Sequence, residues 1–84
     1  MKKEEVVKVI DIMYQNKREE AFEWFSLHIN ELKNDLIEQM KRKSEDTAEQ
    51  ALGIMQSMVS AYRSQKIIDL ADCLKYEYSK YMGW

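Results

Sequence analysis

The 84-residue sequence predicts an all-α fold, a small bundle of four helices arranged as two helical hairpins, and three observations lead there. There is no proline and glycine occurs only at positions 53 and 83, so the punctuation that separates the strands of a sheet protein is missing. A composition that is 45% hydrophobic and 33% charged has too much apolar matter for simple disorder and suits amphipathic helices. Apolar residues also recur at spacings of three and four along nearly the whole chain, the signature of helices with one face turned inward. The length fits a single domain, residues 1–84, whose folding hides roughly 60–65% of the surface its unfolded chain exposes.

The first helix is expected from about Lys3 to Gln15, where Val6, Val9, Ile10 and Met13 form one stripe. A second stripe, Phe22, Phe25, Ile29, Leu32, Leu36 and Met40, belongs to a helix from about Lys17 to Lys43. On one continuous helix these two stripes would lie roughly 100° apart, so the chain is expected to turn near Asn16. Asn16 is a good N-cap and Glu19 stands where a capping box places its acid; one bent helix through residue 16 is the alternative. The second helix is the longest and serves as the spine of the bundle.

Lys41, Arg42 and Lys43 suit the negative end of that helix, and Ser44, Glu45 and Asp46 open the next segment. Asp46 with Glu49, or Ser44 with Thr47, would cap the third helix. Its expected face, running to about Arg63, is Ala48, Ala51, Leu52, Met55, Met58, Val59 and Tyr62, with Gly53 opposite. After Ser64, a second candidate cap, the phase slips again. Ile67, Leu70, Ala71, Leu74, Tyr78 and Tyr81 make the face of the fourth helix, and Gly83 marks its end. The two turns look alike, "YQNKR" at Tyr14 and "YRSQK" at Tyr62, but two copies are too few for a solenoid.

Little in the sequence points to catalysis. His28 is the single histidine and Cys73 the single cysteine, so no intrachain disulfide, multi-cysteine zinc site or local nucleophile–base motif can be assembled. No phosphate loop or dinucleotide fingerprint occurs. Glu19, Glu20 and Glu23 favour a helix start, and Asp69 and Asp72 flank the fourth helix's apolar face, which solvated helix surfaces explain. We expect neither enzyme activity nor a cofactor or metal. The net charge of −2 gives no global attraction to nucleic acid or anionic lipid. No apolar run reaches the ~18 residues of a membrane span. A lone thiol and the absence of a signal-like start point to the cytoplasm.

What the helix faces leave over is aromatic and aliphatic. Trp24 and Leu27 lie off the stripe of the second helix, Tyr76 points away from the stripe of the fourth, and Trp84 follows Gly83. Together with the six methionines these side chains suit an interface, where Tyr, Trp and Met are enriched.

The closing stretch "IIDLADCLKYEYSKYMGW" resembles the last helix of a group of small bacterial all-helical proteins whose pattern reads "LLADLLEYEL-P-L-EEW". The matching positions are Asp69, Leu70, Ala71, Asp72, Leu74, Tyr76, Glu77 and Trp84, and "AFEWFSLHINEL" is similar in character to that group's aromatic second helix. The chain departs from the pattern in lacking its proline and in placing Tyr78 where an aliphatic residue is usual. The resemblance implies an all-helical fold and no particular activity, and it draws attention to Tyr76 and Glu77.

The expected function is therefore that of a non-catalytic protein-binding module, adaptor or chaperone-like, or one that pairs with itself as a homodimer. Its interface candidates are Trp24, Leu27, Tyr76, Glu77 and Trp84 on the second and fourth helices. The alternative is a nucleic-acid-associated regulator using Lys41, Arg42 and Lys43. A third reading places a small molecule in the core near Trp24, His28 and Tyr78.

Overall fold

Two corners of the chain, at Asn16 and Gln65, turn without a glycine. Asn16 has φ 57° and Gln65 has φ 54°, both in the left-handed region. The computed structural model describes residues 1–43 and 47–84. Its helices are α1 (Lys3–Tyr14), α2 (Arg18–Arg42), α3 (Ala48–Arg63) and α4, which covers 67–81 in three consecutive stretches. α4 is α-helical over Ile67–Asp72, π-helical over Cys73–Tyr78 and α-helical again over Ser79–Tyr81. No strand occurs among the described residues.

The two corners share one construction. At the first, the Asn16 N–H donates to the Met13 carbonyl at 3.0 Å and the Lys17 N–H to the Ile12 carbonyl at 3.2 Å. At the second, the Gln65 N–H reaches Tyr62 at 3.1 Å and the Lys66 N–H reaches Ala61 at 2.9 Å. Each pair of bonds satisfies carbonyls that a helix end leaves open, and each needs one left-handed residue just past the end. Gly83, at φ 82°, closes α4 in the same way, with Trp84 N–H on the Ser79 carbonyl at 2.9 Å. Asn16 and Ser64 are thus parts of helix C-terminal turns, not N-caps. The N-cap positions of α2 and α4 fall to Lys17 and Lys66, and neither side chain caps its helix. The two corners therefore align Asn16 with Gln65, one residue away from the alignment their look-alike sequences give. Thr47 holds the N-cap position of α3 without a side-chain cap bond, and the caps expected from Ser44 and Asp46 lie outside the described residues.

At about 1.5 Å per residue, the 25 residues of α2 span about 37 Å, matching the longest dimension of the molecule, 37 Å. α1 and α3 lie along this spine. α4 closes the bundle mainly against α1 and α3 rather than returning along α2. One core joins all four helices, from Val6, Val9, Ile10 and Met13 through Phe25, Leu32 and Leu36 to Leu70, Leu74, Tyr78 and Tyr81. The stripes expected on α1 and α4 are buried as read. On α2, Phe22, Ile29 and Met40 are only partly buried.

The face of α3 is rotated from its expected position. Ala51, Ile54, Met58 and Ala61 are buried, whereas Leu52 is 54% exposed and Met55 and Val59 are half-buried. Because α3 is wedged between α2 and α4, its buried arc faces both neighbours, and the outer edge of its broad apolar strip is left open. Among the described residues no helix is long and apolar enough to cross a membrane.

Candidate functional site

The five interface candidates do not form one patch. Trp24 is half-buried and stacks on His28, ring centroids 4.5 Å apart, in a shallow pocket closed by Val9 and Ile12 of α1. His28 Nδ1 lies 2.8 Å from the Trp24 carbonyl oxygen one turn earlier, so this nitrogen carries the hydrogen. Trp84 folds back on the core and meets Tyr78 edge-on at 5.7 Å. Leu27 projects freely from α2, 72% exposed. Tyr76 and Glu77 alone share a site.

That site is a groove of about 720 Å³ between α3 and α4. Its α3 side is built of small residues, Gly53, Ser57, Ser60, Ala61 and Ser64, with Gln56. These recur every three or four positions, so one helical face presents a low floor. A Cβ built on Gly53 meets nothing within 4 Å, which leaves its backbone open to the groove. The α4 side carries Asp69, Asp72, Tyr76 and Glu77, with Lys66 at the corner and buried Cys73 beneath. Tyr76 stands 60% exposed, a large apolar ring above a floor of small side chains.

The π-helical stretch contains both Tyr76 and Glu77. Its wider turn changes the direction in which these side chains leave the helix, and such turns recur at functional positions. Ser79 Oγ donates to the Leu74 carbonyl at 2.7 Å, taking up an acceptor within that stretch. Asp72 is held by the Tyr14 hydroxyl, which donates to its Oδ1 at 2.5 Å. That hydrogen bond to a carboxylate, with lesser help from burial, pushes the Tyr14 phenol up to about 12. Burial raises the Cys73 thiol far above its ordinary value, with a smaller contribution from Glu77, which makes it a poor nucleophile.

A second groove, about 590 Å³, follows the other side of α3. Met55 and Val59 form its floor and Lys33 and Arg63 its charged rim, while Gln56, Ser60 and Ser64 are shared with the first groove. The α3 ridge thus separates an acidic wall from a basic one. Sequence reading marked Asp69, Asp72 and Gly53 without joining them, and passed over Ser57, Ser60 and Lys33. The signal available was the run of small polar residues at helical spacing on the exposed side of α3.

The basic corner is partly spent on the fold. Lys43 Nζ donates to the Tyr81 carbonyl at 2.6 Å and lies 4.1 Å from the centre of the Tyr81 ring, with Gln39 Nε2 on the same carbonyl at 3.3 Å. Lys43 therefore serves the C-terminal end of α4, and Lys41 and Arg42 remain exposed. The core reading that grouped Trp24 and His28 with Tyr78 is not assembled: the first two line the α1–α2 pocket, and Tyr78 is fully buried under Trp84. Among the described residues no cluster of three His, Cys, Asp or Glu side chains is arranged to hold a metal ion.

No family model, curated protein or solved structure matches this chain.

Proposed function

We propose that this chain is a non-catalytic protein-binding module, adaptor or chaperone-like, whose docking site is the groove between α3 and α4. The observation that carries this reading is Tyr76: a 60% exposed aromatic ring beside a long groove floored by small side chains. An aromatic anchor next to a low, open floor is the form a helix-in-groove contact takes, since the floor admits a backbone and the ring supplies most of the buried area. Trp24 and Trp84 are engaged within their own fold, which concentrates the interaction on Tyr76 and Glu77. Support from the basic corner for the nucleic-acid reading is reduced by the inward use of Lys43.

The reading is tested with a photo-crosslinking residue placed at position 76, in the groove, or at position 27, exposed on α2 away from it. Crosslinks to a protein are expected from 76 and not from 27, and Tyr76→Ala should abolish binding while the helical circular dichroism is unchanged. Crosslinks from 27 alone, or unfolding of Tyr76→Ala, would mean that the groove is not the docking site.

A further inference from the structure

We infer that the protein docked in this groove is a second copy of the same chain, the two α3 helices lying parallel, with each acidic α4 wall against the other copy's Lys33–Arg63 rim. The inference rests on the reading of the α3–α4 groove as a docking site and adds the occupant.

It follows from the distribution of charge across one ridge. On the α4 side, Asp69, Asp72 and Glu77 face Lys66 alone. On the α2 side the charged lining is Lys33 and Arg63, with no carboxylate. Two-fold pairing through this face can be made in two ways. An axis perpendicular to α3 runs the helices antiparallel and lays acid on acid and base on base. An axis along α3 keeps them parallel and exchanges the two sides, so that acid meets base twice. Like charges brought together oppose association, so the second arrangement is selected.

The apolar residues agree with that choice. α3 and α4 are antiparallel neighbours, joined at the corner by the Lys66 N–H on Ala61 and level again where Cys73 Sγ lies 3.9 Å from the Ile54 carbonyl oxygen. An axis along α3 keeps every residue at its own level. Tyr76, about one turn beyond Cys73, then falls beside the second copy's Leu52, while Asp69 and Asp72, between the corner and Cys73, fall level with its Met55–Met58 stretch, where Lys33 lines the groove. Leu52 and Tyr76 are 54% and 60% exposed. The parallel pairing covers both, and Gly53 and Ser60 on the ridge let the two backbones approach.

The test uses the full chain in three forms, followed by light scattering and sedimentation at concentrations up to about 1 mM. The wild type is expected to be a dimer that weakens with salt. Asp69→Lys with Glu77→Lys, and separately Lys33→Glu with Arg63→Glu, should each give a folded monomer, and an equimolar mixture of the two should restore a dimer containing one of each. Single-cysteine variants, made with Cys73→Ala, fix the direction: Gly53→Cys and Ser60→Cys should each crosslink to themselves and not to one another. A monomeric wild type, a mixture that stays monomeric, or a Gly53→Cys to Ser60→Cys crosslink overturns the inference. If the wild type is monomeric while Tyr76→Ala still abolishes crosslinking to a different protein, self-pairing falls and the docking groove stands. A dimer unaffected by Tyr76→Ala and by both charge reversals removes both.

Discussion

The guanidinium of Arg18 donates to the carbonyl oxygen of Gln65 at 2.6 Å, joining the first residue of α2 to the left-handed residue of the opposite corner. The two left-handed corners are thereby brought to one end of the bundle and tied together. Gln65 has no glycine-like freedom, yet it holds φ 54°. A side chain in that region costs about 1–2 kcal/mol, of which glycine's larger unfolded-state entropy takes back a part. Gln65→Gly should stabilise the protein by about 0.5–1 kcal/mol, read as a higher urea midpoint at constant slope. Asn16→Gly should gain less, because asparagine already tolerates this conformation. A loss of stability in Gln65→Gly would mean that its side chain, and not its backbone, maintains the corner.

Two buried tyrosines in α4 should respond oppositely to losing their hydroxyls. Tyr78 is fully buried and its hydroxyl has no hydrogen-bond partner among the described residues. The Tyr81 hydroxyl donates to Thr47, 3.2 Å from its Oγ1. An unsatisfied buried group costs about 1–3 kcal/mol, so Tyr78→Phe should raise stability by about 1 kcal/mol and Tyr81→Phe should lower it by about 0.5–1 kcal/mol. Chemical denaturation of the two variants side by side checks the signs. Destabilisation in Tyr78→Phe would show that its oxygen makes a contact that matters.

Tyr14 couples the surface of α1 to the acidic wall of the groove. Its phenol is raised from 10.0 to about 12, chiefly by the hydrogen bond to Asp72. The folded phenol therefore keeps its proton after the unfolded one has lost it. The folded state binds more protons in that window, so this contribution is complete below pH 10 and is lost as the pH rises toward 12. The tyrosinate absorbance that disappears in Tyr14→Phe should have its midpoint near 12 in the wild type and return toward 10 in Asp72→Asn. An unchanged midpoint in Asp72→Asn would assign the shift to burial.

Periodicity carried the inward faces of α1 and α4 because each buries a single stripe, Val6 to Met13 and Ile67 to Tyr81. It misplaced α3 because that helix has two neighbours. Leu52, Met55 and Val59 are as apolar as Ile54 and Met58, and only the position of α4 decides between them. The phase slips located both corners, but side-chain chemistry then misassigned them. Asn16 and Ser64 are good N-caps in isolation, whereas the backbone bonds of the left-handed turn depend on what precedes the corner. The π-helical stretch at Cys73–Tyr78 has no counterpart in hydrophobic spacing, since its six residues keep Leu74 and Tyr78 on the core. Tyr76 and Glu77 were visible as residues off the stripe. The groove beside them was not, because it depends on the distance between two helices.

Gly53 separates the demands of folding from those of docking. It lies within α3, exposed, with open space where a Cβ would project. Alanine should therefore recover most of the helical penalty of glycine, about 1 kcal/mol, which for a domain of this size raises the melting temperature by about 4–8 °C. The same methyl group would stand on the floor of the groove, at the closest approach of whatever lies there. Gly53→Ala should thus be more stable in dilute solution and yet bind more weakly, the opposition expected where a sequence keeps a helix-weakening residue for contact. Thermal unfolding at low concentration and a binding titration on the same sample separate the two effects. Greater stability with unchanged binding would leave Gly53 off the contact surface, and lower stability would show that its backbone is not free to carry a side chain.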